Sequence, residues 1–317
     1  MNAVVMHAAG GPDVLRVEQV PEPSPAGGES LVDVTFAGLN FDDLDQRADP
    51  GRKVPAVLGV DAVGIRRRDG RRVAALLRTG GGYAQVVAAP DVHTVEVPDD
   101  LDDRQAVALF EQGATAYGAL MLAGRLRPGE TVAVSAAAGG VGHLAVQLAL
   151  TLGAGSVIGI TGTAAKQAFV TAQGAEALVE GTGTDLGARL RELTGGRGVD
   201  VFLDSVGGAR TQSALTGLAP FGRLVTLGWR PGGHVDVPLR RLIEQSVGCA
   251  GFWMRHVVDD RELLCHIAQT LFEFARRGRL VAHVDRVVGL RDVAAAHAAL
   301  AARATVGKVL IDVNRES

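Results

Sequence analysis

The sequence predicts an α/β protein in which a doubly wound parallel sheet of Rossmann type follows a separate β-rich segment. Three observations predict it. Residues 131–135 read as a short buried strand that runs through Ala136-Ala137-Ala138-Gly139-Gly140-Val141-Gly142 into an apolar helix, from 141 to about 152. From about 113 to 252, strand-like and helix-like runs alternate, the pattern of a parallel sheet covered by helices on both faces. From 1 to about 112, short β-type runs are broken by Pro and Gly, as in a compact, partly open barrel.

In chain order, the first β-type runs fall at 4–7, 15–20, 30–38, 63–65, 72–77 and 83–88. Pro21, Pro23, Pro25 and Gly27-Gly28 set a loop between the second and third, because proline lacks a ladder donor and glycine takes turn backbone freely. After its opening strand and helix, the parallel-sheet segment continues with a strand at 156–160, a helix over 164–173 and a strand at 177–179. Leu186, Leu190 and Leu193 then share a helical face closed by Gly195-Gly196. A strand at 200–203, a helix from about 210 to 218 and strands at 223–227 and 247–252 complete the alternation. Beyond it, 261–277 is a helix with Leu264, Ile267, Leu271 and Phe274 on one side and Gly278 to end it. A strand (284–288), an alanine-rich helix (292–302) and a closing strand (308–313) follow.

Matched to G-x-G-x-x-G, the turn supplies Ala137, Gly139 and Gly142. Gly139 lets backbone approach a pyrophosphate, Gly142 lets the helix pack closely on its strand, and the helix N-terminus offers free N–H groups to an anion. The surrounding charges say more than the glycines. Between Glu130 and Glu176 there is no Asp or Glu, and Lys166 is the single Lys or Arg. NAD sites place an acid about 20 residues past the glycines to hold the ribose 2′-OH. Here that region holds Thr161-Gly162-Thr163 and then Lys166, which suits a 2′-phosphate, so the cofactor reads as NADPH.

The totals exclude other classes. A net charge of −3 with 21% charged residues gives no general attraction to nucleic acid or anionic membranes. No apolar run has the length of a membrane span and no basic-then-apolar leader opens the sequence, so a cytoplasmic location is expected. Cys249 and Cys265 are too few for a disulfide framework or a four-thiolate zinc site, and read as buried small apolar residues. The arginine-rich run 66–72 reads as a solvated hairpin.

Motifs along nearly the whole chain also resemble a known family. They are Ala3-Val4-Val5, Gly10-Gly11-Pro12 and Val14-Leu15, then 37–43 (AGLNFDD), 57–64 (VLGVDAVG) and 113–117 (GATAY). Further on come 126–130 (LRPGE), the AAAGGVG turn, 198–208 (GVDVFLDSVGG) and 305–309 (TVGKV). In this order and spacing the chain resembles zinc-independent medium-chain dehydrogenase/reductases of the quinone oxidoreductase (zeta-crystallin-like) type, a group that includes polyketide-synthase enoyl reductase domains. The resemblance implies a GroES-like catalytic domain from 1–112 and 253–317, with a Rossmann NADPH-binding domain at 113–252 inserted in it. It further implies a cleft that holds nicotinamide and substrate, and a homodimer joined through the Rossmann sheet. Zinc-dependent relatives have Gly-His-Glu where this sequence has Gly59-Val60-Asp61, so no catalytic zinc is expected.

The same match nominates site residues. Asn40 and Asp43 fit the family's Asn-(Phe/Tyr)-x-Asp near the nicotinamide, Asn40 bonding a ribose or substrate carbonyl and Asp43 positioning it or relaying a proton. A helix-capping role is the plain alternative for Asp43. Cofactor contacts are expected from Asn40, Thr115, Ala138, Gly139, Gly140, Val141, Gly162 and Thr163, with Lys166 on the 2′-phosphate and a second role for it as proton source. Ser205, Val206, Leu227, Gly228 and Trp229 join them because they follow parallel strands, where open α/β sheets bind ligands. Trp229 and Trp253 wall an apolar pocket or pack in a core or dimer interface, and His143 reads as packing. Two tyrosines usual in the family are replaced by Asp49 and Gly181; the first is a candidate proton donor in enoyl reductases, so water becomes the expected proton source.

These readings point to an NADPH-dependent oxidoreductase that passes hydride to a quinone or an α,β-unsaturated carbonyl compound, an enone or enoyl thioester. Two alternatives stay open at this stage. One is a biosynthetic tailoring enzyme with a non-redox cyclase- or lyase-like step, and the other a non-catalytic NADPH-binding protein.

Overall fold

The computed structural model describes residues 1–180, 185–228, 233 and 235–315. Strands β1 (Asn2–Met6), β2 (Leu15–Gln19) and β3 (Glu29–Leu39) open the chain, followed by helix α1 (Phe41–Ala48). Then come β4 (Ala56–Val57), β5 (Asp61–Arg66), β6 (Arg71–Leu76), β7 (Val86–Pro90), β8 (Thr94–Glu96) and α2 (Asp103–Gly118). The middle of the chain alternates β9 (Thr131–Val134), α3 (Gly140–Thr151), β10 (Ser156–Thr161), α4 (Gln167–Ala172), β11 (Glu176–Val179) and α5 (Leu186–Leu193). It continues with β12 (Val199–Asp204), α6 (Ala209–Thr216), β13 (Leu218–Thr226), α7 (Leu239–Gln245) and β14 (Gly248–Gly251). The last elements are α8 (Arg255–Val258), α9 (Arg261–Arg276), β15 (Val284–Gly289), α10 (Val293–Ala301) and β16 (Lys308–Asp312).

Two compact units result, Met1–Ala114 with His256–Ser317, and Thr115–Arg255. In the first, β1 sits between β2 and β4, while a larger sheet runs β15-β16-β3-β5-β6-β8 with β7 also paired to β3. The unit is closed by residues from both parts of the chain: β16 lies antiparallel to β3, with Ile311 opposite Ala37 and Leu310 opposite Gly38. Its core gathers Met6, Val32, Leu39, Leu58 and Tyr83 with Val293, Val309 and Ile311.

In the second unit six parallel strands run in the order β11-β10-β9-β12-β13-β14. The chain starts at β9, steps outward through β10 to β11, then returns to the other side of β9 with β12. That reversal is the topological switch point at which such sheets bind ligands beyond their carboxyl ends. Strands buried on both faces read as continuous apolar runs, and every residue of β12 is buried.

Some elements differ from expectation. The eight residues of α1 carry Asp42, Asp43 and Asp45 and an exposed Phe41, so no apolar period announced the helix. The run expected as a strand at 83–88 ladders only from Val86, because Tyr83 N–H turns to the carbonyl of Leu58 at 3.0 Å. Thr115 lies in the last turn of the 16-residue α2. The expected helix at 164–173 is a 3-10 turn, Ala164–Lys166, followed by the shorter α4. Cys249 is exposed rather than buried, and it lies on β14, the last strand of its sheet.

Candidate active site

In the parallel-sheet unit, hydrogen bonds tie together the carboxyl ends of β9, β12 and β13, the side on which open α/β sheets bind ligands. Ser135 N–H donates to the carbonyl of Leu203 at 2.9 Å, and its Oγ accepts from Ser205 N–H at 2.9 Å. Asp204, almost fully buried, accepts from the N–H groups of Val206 (2.9 Å) and Gly207 (3.2 Å) and from the Thr211 hydroxyl. Its own carbonyl accepts from Leu227 N–H at 2.9 Å. The loops that carry Ser205, Val206, Leu227 and Gly228 are thereby fixed relative to the glycine turn. Trp229 and Gly181 lie outside the described residues.

The turn itself is shaped by close approach. Ala136 takes left-handed backbone (φ 47°), and Gly139 caps α3 in extended conformation. A Cβ on Gly142 would stand 2.2 Å from the Ala136 carbonyl oxygen, so only glycine lets α3 begin this near the strand. Ala138 is buried, while Gly139, Gly140 and Val141 are partly open at the start of a 12-residue helix. Its first N–H groups have no carbonyl one turn earlier within the helix and favour an anion. His143 is fully buried, its Nδ1 2.9 Å from the Gly139 carbonyl oxygen, in keeping with packing.

After β10, Gly162 and Thr163 are exposed and Lys166 is half-buried on the 3-10 turn. The Thr161 hydroxyl donates to the Thr163 carbonyl at 3.0 Å, which holds this corner. One acid invisible to the count along the chain reaches the same strand end. Glu180 N–H donates to the Thr161 carbonyl at 2.9 Å, and burial raises the Glu180 carboxyl above its usual range. Arg210, at the start of α6, lies 2.9 Å from Glu180 Oε1 and offsets that charge.

The other unit builds a buried polar cluster around Asn40 and Asp43. Asp43 is fully buried. Its Oδ2 accepts from Asn40 N–H and from the Tyr83 hydroxyl, each at 2.8 Å, and its Oδ1 from Gly59 N–H at 3.1 Å. Burial, and after it the nearby Asp61 carboxylate, pushes the Asp43 pKa up to about 7. Tyr83 accepts in turn from His297, whose Nε2 is 3.3 Å away and whose Nδ1 lies 3.1 Å from Arg47 Nη1. Burial and then the Arg47 charge push His297 down to about 3, so it stays neutral.

Asn40 is 5% exposed. Its Nδ2 donates to Asp61 Oδ1 (2.7 Å) and the Gly38 carbonyl (3.4 Å); its Oδ1 accepts from Lys308 Nζ (2.7 Å) and Gln112 Nε2 (3.2 Å). Lys308 and Asp61 form a wholly buried ion pair at 3.1 Å. The pair fits because residue 38 is glycine: a Cβ there would be 2.4 Å from Asp61 Oδ2 and 2.5 Å from Lys308 Nζ. Asn40 and Asp43 therefore lie together, joined by the bond from Asn40 N–H to Asp43, with Asn40 also engaged by Asp61, Lys308 and Gln112 and Asp43 by Tyr83 and Gly59. Tyr83, Gln112, His297 and Lys308 complete the cluster and were not singled out from the sequence; only the GKV motif pointed at Lys308.

Residues 140–269 match a family model described as zinc-binding dehydrogenase. Over 98% of its length the chain is 33% identical to 98% of a 2-haloacrylate reductase of Burkholderia sp.. It is 32% identical, over 96% of its length, to 97% of a quinone oxidoreductase of Pseudomonas aeruginosa. The crystal structure of Escherichia coli quinone oxidoreductase complexed with NADPH superposes with a TM-score of 0.91 at 31% identity, covering 99% of this chain and all of that one.

Proposed function

Because the chain belongs to the medium-chain dehydrogenase/reductases of the quinone oxidoreductase type, and is as such an NADPH-dependent oxidoreductase, we propose that it reduces a quinone or an α,β-unsaturated carbonyl compound without zinc. The observation that carries this reading is the full-length match to a 2-haloacrylate reductase, an enzyme named for a conjugated acid. NADPH supplies the hydride when bound.

The protein's residues bind and orient. The N–H groups at the start of α3, among them those of Gly140 and Val141, hold the pyrophosphate beside Ala138 and Gly139. Gly162, Thr163 and Lys166 receive the 2′-phosphate, with Lys166 giving a charge-assisted bond. Thr115, Ser205, Val206, Leu227 and Gly228 contact the remainder. Asn40 and Asp43 act as positioning residues that fix the backbone from Gly38 to Gly59. Zinc independence is supported by the donor set: Gly59-Val60-Asp61 offers no imidazole, and the Asp61 carboxylate is already bonded to Lys308 and Asn40. Asp43 is held by Asn40, Tyr83 and Gly59 and Asp49 stands where the family has a candidate tyrosine donor, so water delivers the proton that completes the reduction.

A homodimer through the sheet edge also belongs to this reading. The far side of β14 has no strand partner among the described residues, and Phe221, Leu239, Ile243 and Trp253 of the same unit are exposed. Sedimentation that shows only monomer at micromolar concentration would remove this part.

Mixing the purified protein with NADPH and a panel of quinones, enones and 2-haloacrylates tests the activity. Loss of reduced-nicotinamide absorbance with a product two hydrogens heavier is expected for at least one acceptor. Tight NADPH binding with no oxidation by any acceptor, or a product of unchanged mass, would defeat the proposal. Lys166→Ala should weaken NADPH roughly tenfold or more and NADH little, since a hydrogen bond to a charged group contributes about 1.5–3 kcal/mol.

A further inference from the structure

We propose that Arg210 is a second cation for the 2′-phosphate of NADPH, its terminal nitrogens donating to the phosphate oxygens, with Glu180 as the positioning residue that aims it. The proposal rests on NADPH being the cofactor, and every residue in it belongs to the parallel-sheet unit. The end of β10 is where a Rossmann sheet meets the ribose 2′ position of its dinucleotide. Glu180 sits beside that end, because its N–H donates to the Thr161 carbonyl at 2.9 Å. Arg210 Nε lies 2.9 Å from Glu180 Oε1. A single glutamate side chain therefore links the guanidinium to the strand end that leads into Gly162, Thr163 and Lys166.

The two members of this pair differ in what they show to solvent. The Glu180 side chain is 7% exposed and that of Arg210 43%. A covered carboxylate with an open guanidinium presents its positive end outward. Nε is spent on Glu180, while Nη1 and Nη2 make no hydrogen bond with the described residues. A guanidinium is a planar fork of donors that matches phosphate oxygens in pairs, so these two nitrogens suit an anion arriving from solvent. Burial raises the Glu180 carboxyl and the Arg210 charge opposes that rise, which keeps the guanidinium at this corner. The backbone of Arg210 is held as well. Thr211 N–H donates to the Gly208 carbonyl at 3.0 Å and its hydroxyl donates to Asp204, tying the start of α6 to the end of β12. Asp204 and Asp185, the other acids that touch α6, are already engaged, the first by Val206, Gly207 and Thr211 and the second by Ala188 and Ser213. With Lys166 on the 3-10 turn after β10, Arg210 gives this strand end two cations from separate elements.

The test measures dissociation constants for 2′,5′-ADP and 5′-AMP, which differ only by the 2′-phosphate, and for NADPH and NADH. Arg210→Met should weaken 2′,5′-ADP and NADPH about tenfold or more, the worth of one hydrogen bond to a charged group, and leave 5′-AMP and NADH unchanged. That variant strands the Glu180 carboxylate, so Arg210→Met is also combined with Glu180→Gln. The combination leaves no buried charge unpaired and should still lose the preference for 2′,5′-ADP. Glu180→Gln and Glu180→Ala remove the same charge, and only the first keeps an acceptor for Nε. The ratio of the 5′-AMP to the 2′,5′-ADP constant should therefore be larger in the Gln variant than in the Ala variant. Equal ratios would overturn the positioning role of Glu180. Equal losses for 2′,5′-ADP and 5′-AMP in the Arg210 variants would mean that Arg210 serves the adenosine or the fold, and no loss would mean a surface ion pair only; either overturns the proposal. A wild type that binds 2′,5′-ADP no better than 5′-AMP would instead overturn the NADPH reading beneath it.

Discussion

Asp43 and His297, joined through the Tyr83 hydroxyl, titrate in opposite senses. The folded pKa of Asp43, about 7, stands above the unfolded value near 4. Between those values the folded chain keeps a proton that the unfolded chain releases, so this contribution is present in acid and is lost as pH rises toward 7. The folded pKa of His297, about 3, stands below the unfolded value near 6.5. Its contribution is therefore present above pH 6.5 and is lost as pH falls toward 3. In the overlap, roughly pH 4 to 6.5, the slopes are opposite and about 1.4 kcal/mol per pH unit each. The wild type should be nearly flat there with respect to this pair. In urea unfolding across that window, Asp43→Asn should give stability that rises with pH relative to wild type, and His297→Gln stability that falls. Equal slopes in the two variants would contradict the assignment. At this scale Asn40 and Asp43 were legible only through a motif. Gln112, Tyr83, His297 and Lys308 were not, because their partners lie 40 to 268 positions away. Glu180 escaped the charge count for the same reason, since it reaches the end of β10 by strand pairing.

Among elements, β9 and α3 were the most legible, because an apolar strand, a glycine turn and an apolar helix leave one arrangement. The structure adds why the third glycine is required. Gly142→Ala should force α3 away from the Ala136 carbonyl, costing about 1–3 kcal/mol as overpacking does and displacing the N–H groups expected to meet the pyrophosphate. Both effects are measurable, by denaturant unfolding and by NADPH titration. Unchanged affinity with unchanged stability would show that the turn accommodates a methyl group. The short α1 was illegible for a physical reason: it buries little apolar surface and is held by Asp43, which accepts from the N–H of Asn40 at the helix start. The end of β10 was legible in composition and not in shape, since a 3-10 turn and a short helix replace one longer helix.

For the whole molecule, periodicity distinguished a β-rich segment from an alternating one, but only family resemblance joined 253–317 to the start of the chain. The structure supplies the physical link, β16 against β3 with Lys308 placed on Asp61. Lys308→Met should remove about 3–5 kcal/mol, because it strands a buried carboxylate. Asp61→Asn combined with Lys308→Met should recover part of that loss. A single variant as stable as the wild type would show that water reaches the pair. The wait imposed on a growing chain follows from the same strand. Asn40 and Asp61 leave the ribosome early, yet the ammonium that balances them is 268 residues beyond Asn40. At about 5–20 residues per second, the first unit spends roughly 15–50 s of synthesis without its final strand and its central cation. Throughout that interval the parallel-sheet unit, whose residues are contiguous, is free to fold first.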